Sequence, residues 1–85
     1  MNNLGMWTAE QEEWCIAASA EDAARCYQEA VGEPLEKQVG FPVEWTKEPP
    51  EKLFRFREED GSVTERTSAE WIRTRGRGHF ASANI

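Results

Sequence analysis

EEWCIAASAEDAARCYQEAVG, residues 12–32, divides into a strand that feeds a helix, and the other elements arrange themselves around that pair. In the helix half Ser19 is a preferred N-cap. Asp22, three places on, gives the weaker acidic form of the capping box. Glu21 and Asp22 fall in the first turn, where negative charge complements the helix dipole. Ala20, Ala23, Ala24, Tyr27, Ala30 and Val31 make one apolar stripe, with Arg25, Gln28 and Glu29 on the other face. Gly32 is the expected left-handed stop, and Pro34 blocks continuation. An alanine-rich stripe lets its partner approach closely, which suits a sheet.

The strand half has two readings. In Glu13–Ala18 the larger Trp14 and Ile16 alternate with Glu13 and Cys15, as in a half-buried strand. Thr8 and Gln11 also form a Thr-x-x-Gln capping box, so one helix over Ala9–Val31 is the rival. That helix keeps a seam through Ile16, Ala20, Ala23, Tyr27 and Ala30 but strands Trp14 off it. Strand followed by helix is the preferred reading.

Further along, Phe41, Val43 and Trp45 alternate with Pro42, Glu44 and Thr46. This predicts a strand that Pro42 confines to a sheet edge. Phe54 and Phe56 alternate with Arg55 and Arg57 before Glu58-Glu59-Asp60-Gly61, and Val63 resumes beyond, which predicts a hairpin. A two- or a four-residue loop there would each leave Val63 on the phenylalanine face, with Arg55 and Arg57 near Thr64 and Arg66. Thr67-Ser68-Ala69-Glu70 is a capping box that opens a short second helix, docked through Trp71 and Ile72 and stopped at Gly76. The tail either adds a strand or tucks Phe80 into the core. The expected order is β-α-β-β-β-α: an α+β domain over residues 1–85, with a small, mostly antiparallel sheet carrying one main helix on one face. Residues 1–7 read as a mobile lead-in.

At 85 residues the chain suits one domain, and 39% hydrophobic residues with four Trp and four Phe argue against disorder. Cys15 and Cys26 have neither C-x-x-C spacing nor enough histidine for a zinc set, so no metal or cofactor is expected. Nothing resembles a signal peptide and no run of residues is long and apolar enough to span a bilayer. The expectation is a reducing cytoplasm and two free thiols.

The net charge of −6 disfavours general nucleic-acid binding, and its distribution is lopsided. Residues 1–36 hold eight acids and one base, whereas residues 37–85 hold eight acids and nine bases. No set of base, nucleophile and orienting group is apparent, so catalysis is not expected. Two binding surfaces are candidates. Glu58, Glu59 and Asp60 at a hairpin tip, joined by Glu12, Glu13, Glu29 and Glu33, would meet a basic protein. Arg73, Arg75 and Arg77, interleaved with glycines, would instead contact RNA or DNA. A homodimer sealed by exposed tryptophans is a third reading.

This profile of a compact, acidic, tryptophan-containing chain without catalytic signature resembles small proteins of phages and mobile elements, anti-CRISPR proteins in particular. The resemblance implies an inhibitor that occludes a basic surface on a nucleic-acid-handling assembly, such as a CRISPR effector complex. It assigns no role to any single residue.

Overall fold

The structure, a computed structural model, describes residues 3–82. The elements run β1 (Gly5–Ala9), β2 (Glu13–Ala17), α1 (Ala20–Val31), α2 (Leu35–Val39), β3 (Trp45–Lys47), β4 (Leu53–Arg57), β5 (Val63–Thr67), α3 (Ser68–Arg75) and β6 (Gly78–Ser82). The four-stranded antiparallel sheet has the order β3-β1-β2-β6, and β4 pairs with β5 as a separate hairpin. The fold is α+β with one main helix.

Strand followed by helix is the division observed at residues 12–32. Ser19 accepts the Asp22 N–H at 3.0 Å as N-cap, and Gly32 closes α1 at φ 101°. The Asp22 carboxylate returns a bond to Ala18 N–H, one residue before the cap. The stripe runs differently from its sequence reading. Ala23, Cys26 and Tyr27 are buried, while Ala30 and Val31 are exposed, so the last turn of α1 leaves the core. Pro34 ends one helix and opens the next, because its fixed φ of −67° suits the entry to α2.

The sheet is a middle layer with a core on each face. Cys15 and Ala17 of β2, with Ala9 of β1, pack under α1 against Ala23, Cys26, Tyr27, Leu35 and Trp45. Met6 and Ile16 face the other way, toward Trp71 of α3, Phe80 of β6, and Phe54 and Phe56 of the hairpin. β2 is therefore buried on both faces, not half-buried. No tryptophan is exposed: Trp45 and Trp71 are buried, and Trp7 and Trp14 are half-buried against the two cores. A dimer seam of exposed tryptophans has no material here.

Residues 5–7, read as lead-in, belong to β1, an inner strand in which Met6 is buried. Residues 1–2, and the end of the tail beyond Ser82, lie outside the described residues. What hid β1 is its connection to β2. Glu10 (φ 57°) and Gln11 (φ 55°) are both left-handed, and Glu12 N–H donates to Ala9 O at 3.0 Å. With Ala9 opposite Glu13 the loop is Glu10-Gln11-Glu12, and its two successive left-handed positions are ones that normally carry Asn-Gly. Left-handed backbone costs an ordinary L-residue roughly 1–2 kcal/mol. Replacing Glu10 by Asn and Gln11 by Gly should therefore stabilise the fold by about 1–2 kcal/mol, seen as a higher midpoint in urea unfolding. An unchanged or lower midpoint would contradict the turn geometry.

The β4–β5 register also departs from expectation. Gly61 N–H donates to Glu58 O, and Glu58 N–H donates to Ser62 O, with Gly61 at φ 92°. The loop is thus Glu59-Asp60-Gly61, a turn completed by a left-handed glycine. An odd loop length shifts the pairing by one residue, so Phe56 meets Thr64 and Val63 meets Arg57 on the outer face. Val63 is 56% exposed as a result. Arg55 lies opposite Glu65 in a 3.1 Å ion pair, so the anticipated crowding of arginines does not arise.

β3 is an edge strand as expected but begins only at Trp45, leaving Phe41 exposed on the preceding loop. α3 has both halves of its capping box: Glu70 N–H to Thr67 Oγ1 at 3.2 Å and Thr67 N–H to Glu70 Oε1 at 2.9 Å. The tail adds a strand. β6 pairs with β2, and a bulge at Phe80 leaves His79 on the α1 side and turns Phe80 to the aromatic side.

Candidate functional site

The three C-terminal arginines do different things. Arg77 reaches across from the start of β6 to α1, where its Nη2 and Nε lie 2.7 and 3.0 Å from the Asp22 carboxylate, and its Nη1 lies 3.6 Å from Glu29. Asp22 also accepts from Ala18 N–H and Arg25, and these donors, Arg77 foremost, hold its carboxyl down at about 2. Arg75 lies over the rings of Phe56 (4.4 Å), Trp71 (5.2 Å) and Phe80 (5.8 Å), covering the aromatic core as a cation–π lid. Only Arg73 has no internal partner among the described residues. The cluster therefore does not present three converging cations to a phosphate.

The acids divide in a similar way. Glu13, Glu29 and Asp60 are engaged internally: Glu13 with His79 and Ser82, Glu29 with Arg77, and Asp60 with the N–H (3.0 Å) and hydroxyl (2.7 Å) of Ser62. The two Ser62 bonds keep the Asp60 carboxyl below the usual carboxylate range. Glu12, Glu33, Glu58 and Glu59 take no side-chain hydrogen bond or ion pair among the described residues. Their positions differ: Glu12 closes the β1–β2 loop, Glu33 follows α1, and Glu58 and Glu59 sit at the hairpin tip. The hairpin and α1 cover opposite faces of the sheet, so the sequence-predicted acids form separate acidic patches and not one continuous face.

The pairing of β2 with β6 gathers one polar cluster that sequence reasoning missed. Glu13 Oε1 lies 3.1 Å from His79 Nε2 and 2.5 Å from Ser82 Oγ, and Tyr27 meets the His79 ring edge-on at 5.6 Å between centroids. Carboxylate, imidazole and hydroxyl are the components of a hydrolytic triad, but the connections differ. A triad uses both ring nitrogens, one oriented by the acid and the other facing the nucleophile. Here acid and hydroxyl meet the same Nε2, and the serine bonds directly to the acid. The arrangement locks the β6 edge to β2. The cysteines are both free and buried. Burial, with the neighbouring Cys26 and Glu13 adding to it, pushes the Cys15 thiol up to about 12, and burial also raises Cys26. Neither is a thiolate at neutral pH.

A third acidic region was only partly legible. Ala20, Glu21 and Ala24 of α1, Glu36 of α2, and Val43, Glu44 and Trp45 line an open groove of about 360 Å³. A tighter cavity of about 280 Å³ lies on the opposite layer, where Lys47 and Arg73 flank Met6, Glu48 and Ile72. Glu48 is itself occupied, accepting Trp14 Nε1–H at 3.0 Å and Lys52 at 3.2 Å. Among the described residues no group of three or more His, Cys, Asp or Glu side chains is placed to hold a metal ion, and no helix is long and apolar enough to cross a membrane. Comparison with protein-family models, curated proteins and solved structures gives no match to this chain.

Proposed function

We propose that this is a small cytoplasmic binding protein that inhibits a nucleic-acid-handling complex by covering a basic protein surface, in the manner implied by its anti-CRISPR-like profile. The observation that carries the reading is the unequal use of charge. Arg75 lies on the aromatic cluster and Arg77 is paired with Asp22 and Glu29, while the exposed Glu12 and Glu59 and the half-exposed Glu33 and Glu58 have no internal partner among the described residues. A surface left with excess carboxylate favours a cationic partner and repels a polyanion. The contacts are steric and electrostatic, with Glu58, Glu59 and Asp60 held out on a hairpin that is anchored by its phenylalanines. The two buried, free thiols suit a reducing compartment.

Charge reversal at the tip tests the contact. Glu58→Lys, Glu59→Lys and Asp60→Lys together should weaken capture of the partner by roughly ten-fold or more, since like charges replace complementary ones. The fold should survive, because these side chains are outside both cores. Equal capture by wild type and variant, at equal thermal stability, would remove the tip from the interface.

A further inference from the structure

We infer that the groove between α1, α2 and the outer edge of β3 takes an extended, lysine- or arginine-bearing segment of the partner protein, which adds as a strand to β3. The inference rests on the reading of this chain as a binder of basic proteins, and it locates a peptide-binding site within that reading.

The backbone gives the first reason. Glu48 N–H donates to Met6 O at 2.7 Å, which sets the phase of the β1–β3 ladder. With Trp7 opposite Lys47 and Thr8 opposite Thr46, the Met6/Glu48 and Thr8/Thr46 positions are the bonded pairs. The N–H and C=O groups of Trp45 and Lys47 therefore point away from β1. β3 is the end of the sheet, and these groups have no hydrogen-bond partner among the described residues. An unpaired row of donors and acceptors is a template for an added strand.

The side chains give the second reason and select the occupant. Beside this edge the groove has an apolar floor, made by Ala20, Ala24, Val43 and Trp45, and its polar lining is three glutamates with no cation. Glu21, Glu36 and Glu44 make no ion pair or side-chain hydrogen bond among the described residues, so nothing in the free protein neutralises them. A lysine or arginine side chain matches both parts at once, laying its aliphatic stem on the floor and its head against the carboxylates. Trp45 adds a separate signal. It is 6% exposed and lines the groove, yet its indole N–H has no partner among the described residues. A buried donor without an acceptor is destabilising. Trp45 forms part of the groove wall, so its indole N–H resonance reports whether the groove is occupied.

The test uses the full chain, isotope-labelled for NMR, and a capped heptapeptide of alternating lysine and threonine, with an alternating glutamate–threonine peptide as control. The basic peptide should shift the backbone amides of Trp45 and Lys47 and the Trp45 indole N–H in a saturable way, and the acidic peptide should not. Glu21→Gln, Glu36→Gln and Glu44→Gln together should weaken that binding by roughly ten-fold, the loss expected for removing charge-assisted contacts. Shifts centred on the hairpin tip, equal affinity in the glutamine variant, or no saturable binding would each overturn the groove. A partner that the glutamine variant captures from lysate as well as wild type does would refute the groove alone and leave the inhibitor reading intact. Absence of any protein partner for wild type would count against that reading instead.

Discussion

Trp71→Ala should destabilise the fold by about 3–5 kcal/mol, a large share of its total stability. Trp71 is 1% exposed and packs its ring against Phe80 (5.1 Å between centroids) and Phe56 (5.7 Å), while its indole N–H donates to Phe54 O at 3.1 Å. It thus joins α3, β6 and the hairpin through one side chain. Removing a buried tryptophan costs about 3–5 kcal/mol, and a domain of this length has only about 4–13 kcal/mol in total. The loss should be uneven as well. A two-stranded hairpin is marginal alone, so β4 and β5 should lose amide-exchange protection before β1 and β2 do. Leu53→Ala, at a side chain 57% exposed on the outer hairpin face, should change stability by less than about 0.5 kcal/mol. Urea unfolding of the two variants side by side checks the contrast. A small effect at Trp71 would mean that the second core is not organised around it.

The second large effect belongs to Asp22. Its carboxyl is depressed to about 2 in the fold, chiefly by the Arg77 hydrogen bonds and the Ala18 N–H, against 3.8 for the free group. A group with a lowered folded-state pKa contributes stability above its unfolded value and loses that contribution as pH falls through the folded one. The Asp22–Arg77 tie should therefore hold fully at neutral pH and disappear between about pH 4 and pH 2. Asp22→Asn keeps the size of the side chain but removes the charge. It should cost about 1.5 kcal/mol at pH 7, the low end for hydrogen bonds to charged groups, because Arg77 is 42% exposed and partly screened. Thermal unfolding at a series of pH values should show the wild-type advantage shrinking toward pH 2. A difference that stays constant with pH would assign the effect to packing and not to charge.

Local chemistry was legible in the sequence, and pairing across the chain was not. Ser19, Gly32, Thr67 and Glu70 announce their helix ends because capping acts within three or four residues. The β1–β2 turn was illegible because Glu10 and Gln11 adopt a backbone that their types seldom choose. Hairpin parity at Glu59–Gly61 was illegible for another reason. Asp-Gly marks a turn, but only the backbone tells whether two, three or four residues make the loop. That one-residue difference moved Val63 to solvent and gave Arg55 a glutamate partner.

The candidate sites follow the same rule. Glu58, Glu59 and Asp60 were readable as a presented tip because a turn signal lies beside them. The Arg77–Asp22 tie and the Glu13–His79–Ser82 cluster join opposite ends of the chain, and nothing local marks them. Arg73-Thr74-Arg75-Gly76-Arg77 looks like one basic patch when read along the chain. Folding sends Arg75 onto an aromatic core and Arg77 onto an acidic helix, and the proposal of a protein partner rests on this redistribution of charge.

Capture on the tagged protein from the lysate of its native host, with and without nuclease and read by mass spectrometry, separates a protein partner from a nucleic acid. One protein complex should be captured, retained in full after nuclease and released by raised salt as charge screening requires. Loss of everything on nuclease treatment would contradict this expectation, since the partner would then be nucleic acid.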